Sequence, residues 1–247
     1  MTAGSNDRVT DVRPYGDAAI ARAAALVRAG HPVAVPTETV YGLAADATNG
    51  DAVAAIYAAK GRPAFNPLIV HVPDLAAAAA LGAFGPVERA LAAAFWPGPL
   101  TIVVPRTADC PAASLATAGL DTIALRVPAH RAMRALLAAT GVPLAAPSAN
   151  ASGRISPTTA AHVLSSLDGR IAMVIDDGAC AAGIESTIVR VAGDRIDVLR
   201  PGPVTHEMLR AATGLSAASA AHAGGDAVIA PGQLASHYAP SKPVRLN

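Results

Sequence analysis

Short apolar runs alternate with Ala-rich amphipathic segments along most of this chain, and glycine or proline marks nearly every join. Strand-like stretches feeding helix-like ones narrow the fold to an α/β sheet. Asp17 to Ala29 reads as a helix closed by Gly30, and Pro32 to Pro36 as the strand after it. A helix over Asp51 to Lys60 ends at Gly61 and gives way to a strand over Leu68 to Val72. The same alternation predicts helix Val87 to Phe95, strands Leu100 to Val104 and Thr122 to Val127, helix Arg131 to Ala139 and strand Pro143 to Ala146. Helix Thr158 to Ser166 and strand Ile171 to Ile175 follow. Thr187 to Val191 and Ile196 to Leu199 then read as a hairpin turning at Gly193-Asp194, with a closing helix from His206 to Ala212. The hairpin makes the expected sheet mixed, parallel and antiparallel, rather than purely parallel.

A chain of 247 residues that is 52% hydrophobic and 15% charged can bury a substantial core. Its periodicity fades from Ser216 to Asp226, an Ala-, Ser- and Gly-rich stretch that reads as a linker. The expected organisation is a domain over residues 10–215 and a linker over 216–247. A net charge of +1 gives no reason to expect a basic nucleic-acid wrapper. Cys110 and Cys180 belong to no CxxC pair, which argues against a disulfide framework or a Cys-rich zinc site. Met1 to Arg13 is polar and lacks a signal-peptide core, and apolar stretches such as Leu75 to Phe84 are too short to span a bilayer. The cytoplasm is the expected compartment.

Familiar catalytic signatures are missing. No GxGxxG follows a strand, and Gly178 and Gly183 are followed by Ile184-Glu185 where a phosphate loop needs Lys-Ser/Thr. Arg210 stands where His206-Glu207 would need a second zinc-binding histidine, and Ser148 lacks the flanks of a nucleophile elbow.

What the chain has instead is polar clusters at the ends of apolar strands. Pro36-Thr37-Glu38-Thr39-Val40-Tyr41-Gly42 crowds hydroxyls, a carboxylate and a phenol where α/β sheets bind ligands, although it also suits a strand-to-helix turn with threonine caps. Lys60-Gly61-Arg62-Pro63-Ala64-Phe65-Asn66-Pro67 puts two cations at a helix C-terminus, where the helix dipole favours them. Its prolines stiffen the turn, and a bound anion such as phosphate would relieve the repulsion between the cations. Alternation puts Thr122, Ala124 and Arg126 on one face of a strand. An arginine there needs a carboxylate, from the protein or from a ligand. Pro147 to Thr158 gathers hydroxyl and amide groups ahead of a helix, either as an anion site or as a cap.

In this order the motifs resemble the YrdC-type threonylcarbamoyl-AMP synthases. They are PTETVYGL from Pro36, KGRPAFNPLIVHV from Lys60, WPGPLT from Trp96, TIALRVPAH from Thr122, PSANASGRISPT from Pro147, IEST from Ile184 and LRPGP from Leu199. The resemblance implies a twisted mixed sheet with flanking helices around a deep basic cavity. It implies synthesis of L-threonylcarbamoyladenylate from L-threonine, bicarbonate and ATP, with pyrophosphate released and Mg²⁺ accompanying the ATP. The product would go to a downstream tRNA-modifying threonylcarbamoyl transferase, with tRNA itself a possible partner. By resemblance, Thr39, His71, Arg126, Ala146 (through its backbone) and Ser186 would hold threonine. Arg62, Asn66, Thr122, Ser148, Ser156 and Arg200 would hold ATP, with Lys60 and Arg62 supplying catalytic charge at the phosphates. APGQLASHYAP from Ala230 is similar to the linker that crosses the active site in the longer, two-domain branch, where Tyr238 would reach the nucleotide. The C-terminal domain of that branch is expected to be absent.

Two other functions fit less well. An RNA-binding module would need basic stripes or stacking aromatics, and aromatic residues make up 3% of the chain. A carbamoyl-transfer protein of the hydrogenase-maturation kind would carry a zinc-finger cysteine pattern that this chain lacks.

Overall fold

A computed structural model describes residues 9–220 and 230–231. The described strands are β1 (Asp11–Pro14), β2 (Val33–Pro36), β3 (Tyr41–Asp46), β4 (Ile69–His71), β5 (Leu100–Pro105), β6 (Thr122–Arg126), β7 (Leu144–Ala145), β8 (Met173–Asp176), β9 (Thr187–Ala192), β10 (Arg195–Arg200) and β11 (Ser216–Ser219). They form a mixed sheet in the order β1-β8-β2-β3-β7-β4-β6-β5-β9-β10-β11. The helices are α1 (Asp17–Arg28), α2 (Gly50–Lys60), α3 (Leu75–Leu81), α4 (Pro86–Phe95), α5 (Arg131–Thr140), α6 (Ala160–Leu167) and α7 (His206–Thr213).

Strand alternation decides which face each residue serves. On one face Val70, Leu125, Ala145, Val189 and Val198 join a large core with residues of α2, α3, α4, α6 and α7. On the other, Val33, Val35, Ala44, Leu144 and Met173 are covered by the buried stripes of α1 and α5. Those two helices cover only the β1-to-β7 side of the sheet. Beyond β7, the same face carries a small apolar floor of Ile69, Val103, Ala124, Ile188 and Leu199, onto which Ala230 packs. The uncovered half of this face is the floor of a hollow.

Four elements depart from the sequence expectation. The cluster from Thr37 to Val40 does not lead into a helix. It turns β2 back into β3, with Val33 opposite Ala44 and Pro36 opposite Tyr41. Tyr41 to Ala45 is buried on both sides, so it shows no alternation. α3 is nearly pure alanine, and its start is fixed by the Asp74 carboxylate, which accepts from the backbone N–H of Ala77. β11 lies inside the stretch expected to be a linker and runs parallel to β10, and β1 extends the opposite edge.

Candidate active site

Five loops meet at the hollow: the β2–β3 turn, the turn after α2, the segment after β7, the segment before β9 and the end of β10. Their contributions are Thr37, Thr39, Val40 and Gly42; Arg62; Ala146, Pro147 and Ser148; Glu185; and Arg200, with Ile69, His71 and Arg126 rising from β4 and β6. Pro231 closes one side, so the start of the APGQ motif reaches the site.

Arg126 is 3% exposed, and the protein supplies the carboxylate its position demands. Its Nε donates to Gly98 O at 3.1 Å, Nη1 to Thr39 Oγ1 at 3.0 Å and Nη2 to Glu38 Oε1 at 2.5 Å. A guanidinium only donates, and the Thr37 hydroxyl donates to Val40 O. The 2.8 Å contact between the two threonine hydroxyls therefore runs from Thr39 to Thr37. With its proton committed, Thr39 can offer a ligand only an acceptor lone pair. Glu38 was not among the expected site residues. The signal that pointed to it was the orphan charge on Arg126.

His71 pairs in register with Arg126 across β4 and β6 and is 2% exposed. Neither ring nitrogen has a partner among the described residues. Burial, then the nearby Arg126 charge, draws its pKa down to about 3, so the imidazole is neutral at physiological pH. Ala146 gives its N–H to Ile69 O at 3.0 Å and lines the hollow.

The turn after α2 is folded around Arg62, whose Nε donates to Asn66 O at 3.2 Å and Nη2 to Pro67 O at 3.0 Å. Gly61, at φ 59, permits the reversal. Lys60 is a different case from the one expected. Its ammonium is 2% exposed and donates to Ser148 O at 2.5 Å and Asn150 O at 2.6 Å, tying α2 to the 147–157 segment without lining the hollow. Burial and the Arg62 charge pull its pKa down to about 7, with Glu185 opposing them.

Arg200 donates from Nε to Ser186 O at 3.0 Å and from Nη2 to Ser186 Oγ at 2.9 Å, and Nη1 lies 3.4 Å from Glu185 Oε2. Ser186 is fully buried behind Arg200, its hydroxyl also in contact with that of Thr101 at 2.7 Å. It supports Arg200 from behind and is not among the residues that line the hollow. Ser156 donates to Glu185 Oε1 at 2.6 Å and lines an adjoining pocket that shares Glu185 and Arg200 with the hollow. Asn66 is 1% exposed behind Arg62, its Oδ1 without a partner among the described residues. Thr122 starts β6 on the same face as Arg126 but outside the lining set. Tyr238 lies outside the described residues. Of the expected residues, the structure thus gathers Thr39, Arg62, His71, Arg126, Ala146, Ser148 and Arg200 around one space.

Strand-end Arg126, Arg200 and neutral His71, with Arg62 from the turn after α2 and flanking hydroxyls, define an α/β protein whose hollow has the chemistry to suit phosphates and carboxylates. The family model described as telomere recombination matches residues 25–202, and the model of the threonylcarbamoyl-AMP synthase C-terminal domain matches residues 204–247. The chain belongs to the Sua5/YrdC family of threonylcarbamoyl-AMP synthases. It is 45% identical to the Bacillus subtilis threonylcarbamoyl-AMP synthase over 96% of its own length and 69% of the relative's. To the Pyrococcus abyssi enzyme it is 44% identical over 90% and 66%, and to the Schizosaccharomyces pombe enzyme 44% over 74% and 50%. The chain therefore spans between half and about two thirds of these relatives' lengths. The crystal structure of P. abyssi Sua5 complexed with L-threonine matches with a TM-score of 0.86 and 40% identity, over 94% of this chain and 69% of that one. The structure of E. coli YciO, 20% identical with a TM-score of 0.68, shares the fold. One expectation is corrected: the C-terminal domain model begins at residue 204 and takes in α7 and β11, so that domain is not simply missing. The stretch looked like a linker because four short residues of an edge strand, Ser216–Ser219, carry no hydrophobic alternation.

The described residues hold no helix long and apolar enough to cross a membrane.

Proposed function

We propose that this chain joins L-threonine, bicarbonate and ATP into threonylcarbamoyl adenylate, releasing pyrophosphate, and so acts as a nucleotidyltransferase. The observation that carries the reading is the convergence of Arg62, Arg126 and Arg200, from three separate segments, on one space beside neutral His71. The family relatives bearing that enzyme name, and a relative crystallised with L-threonine, support it.

In this scheme Arg126 meets the threonine carboxylate, Thr39 accepts a hydrogen bond from its ammonium or hydroxyl, and His71 and the Ala146 carbonyl complete that half. Arg62, Ser148 and Arg200 meet the phosphates, with Asn66, Thr122, Ser156 and Tyr238 assigned to the nucleotide. Bicarbonate loses hydroxide as water, either before the threonine nitrogen attacks its carbon or as that attack breaks a C–OH bond, and the nitrogen gives up a proton to leave a carbamate. A carbamate oxygen then attacks the α-phosphorus, and the bond to the β-phosphate's bridging oxygen breaks. No acyl-enzyme nucleophile is called for. Holding two substrates in line supplies much of the rate, and the guanidiniums offset charge on the departing pyrophosphate. Mg²⁺ would supply further charge neutralisation there. No trio of metal-ligating side chains gathers among the described residues. The product would pass to a tRNA-modifying threonylcarbamoyl transferase.

Protein given ATP, bicarbonate and Mg²⁺ should release pyrophosphate when L-threonine is added, and serine should serve much less well. Release that ignores threonine would remove the synthase reading and favour a binding role for the hollow.

A further inference from the structure

Glu38 stands behind the hollow. It does not line it, yet its carboxylate touches two parts of the molecule that do the positioning. Oε1 accepts from Arg126 Nη2 at 2.5 Å, and Oε2 accepts from the backbone N–H groups of Ala129 at 3.1 Å and His130 at 3.3 Å, at the start of α5. Its own backbone carbonyl accepts from Ala182 N at 2.9 Å, which pins the β2–β3 turn beneath the segment that leads to Glu185. Burial alone would raise the carboxyl's pKa. The charge of Arg126 and the hydrogen bonds outweigh that effect and hold it below its ordinary value, so Glu38 is ionised across the physiological range.

We propose that Glu38 is a positioning residue that fixes the plane of the Arg126 guanidinium for an amino-acid carboxylate. Gly98 O, Thr39 Oγ1 and Glu38 Oε1 each take one of the side chain's five N–H groups. One N–H then remains on each terminal nitrogen, enough to meet both oxygens of a carboxylate. Without Glu38 the long side chain regains torsional freedom, and Arg126 becomes an uncompensated buried cation. A Gln at this position can satisfy Arg126 or the α5 N–H groups with its carbonyl, but not both, because its other terminal group only donates.

This inference rests on the threonine reading above, and direct binding separates the two. L-Threonine and ATP are titrated calorimetrically, each alone, into the wild-type chain and into Glu38→Gln. The expected result is a threonine Kd raised about tenfold and an ATP Kd within about twofold of wild type, with the melting temperature lowered by loss of the buried charge pair. Unchanged threonine affinity would overturn the proposal, as would equal weakening of both ligands, the mark of a merely structural residue. If Glu38→Gln does not fold, Glu38→Asp, which keeps the charge and shortens the reach, decides by the same criterion of threonine-selective loss. A wild-type chain that binds no threonine would instead sink the threonine reading itself.

Discussion

Burying His71, whose ring nitrogens have no partner among the described residues, makes its protonation a stability matter. His71 has a folded pKa of about 3 against an ordinary 6.5. Between those values the unfolded chain binds the proton that the folded chain refuses, so stability falls as pH drops through that window. From pH 6.5 to 5 the wild-type chain should lose about 1.5 kcal/mol more than His71→Gln, measured by urea denaturation at each pH. Parallel acid slopes in the two proteins would show that His71 is not the group responsible. At this scale the sequence revealed needs more readily than solutions. An arginine at position 126 of an apolar strand announced that a carboxylate had to be near. Which carboxylate depended on β2–β3 turning back across the sheet to bring Glu38 alongside, 88 positions away. The same applies to Lys60, whose turn looked like an anion site but whose ammonium closes on two backbone carbonyls.

Among the elements, helices with a clear apolar stripe and a cap were legible to within a residue or two. α1, α5 and the β9–β10 hairpin are the clearest cases. What escaped were stretches in which tertiary burial, not periodicity, decides. β3 is buried on both faces, α3 has alanine on every side, and β11 is a short edge strand. Motif glycines were legible as motif but not as mechanism. A Cβ on Gly202 would lie 2.4 Å from Thr187 N and 2.6 Å from Glu185 O, both backbone atoms that cannot swing aside. Gly202→Ala should therefore destabilise by about 1–3 kcal/mol, seen as a lower urea midpoint at unchanged slope. Gly50→Ala serves as the control, since nothing lies within 4 Å of its added Cβ. If both variants behaved alike, the close approach at Gly202 would not be what requires glycine there.

For the whole molecule, the site exists because α1 and α5 cover only part of one sheet face. The uncovered part is floored by Ile69, Val103, Ala124, Ile188 and Leu199 and rimmed by polar loops, with Ala230 and Pro231 brought onto it from the far end of the chain. A mixed sheet was foreseeable from the hairpin. The strand order that brings β4, β6 and β10 around one space was not, because pairing between distant strands leaves no local mark. If this space joins a carbamate to an α-phosphate, labelled bicarbonate shows it most directly. With ATP, Mg²⁺, L-threonine and ¹⁴C-bicarbonate, the label should appear in an adenylate in step with pyrophosphate release, and only when threonine is present. Pyrophosphate released with threonine but without label in the nucleotide would contradict the account, because the amino acid's own carboxylate would then have attacked the phosphorus.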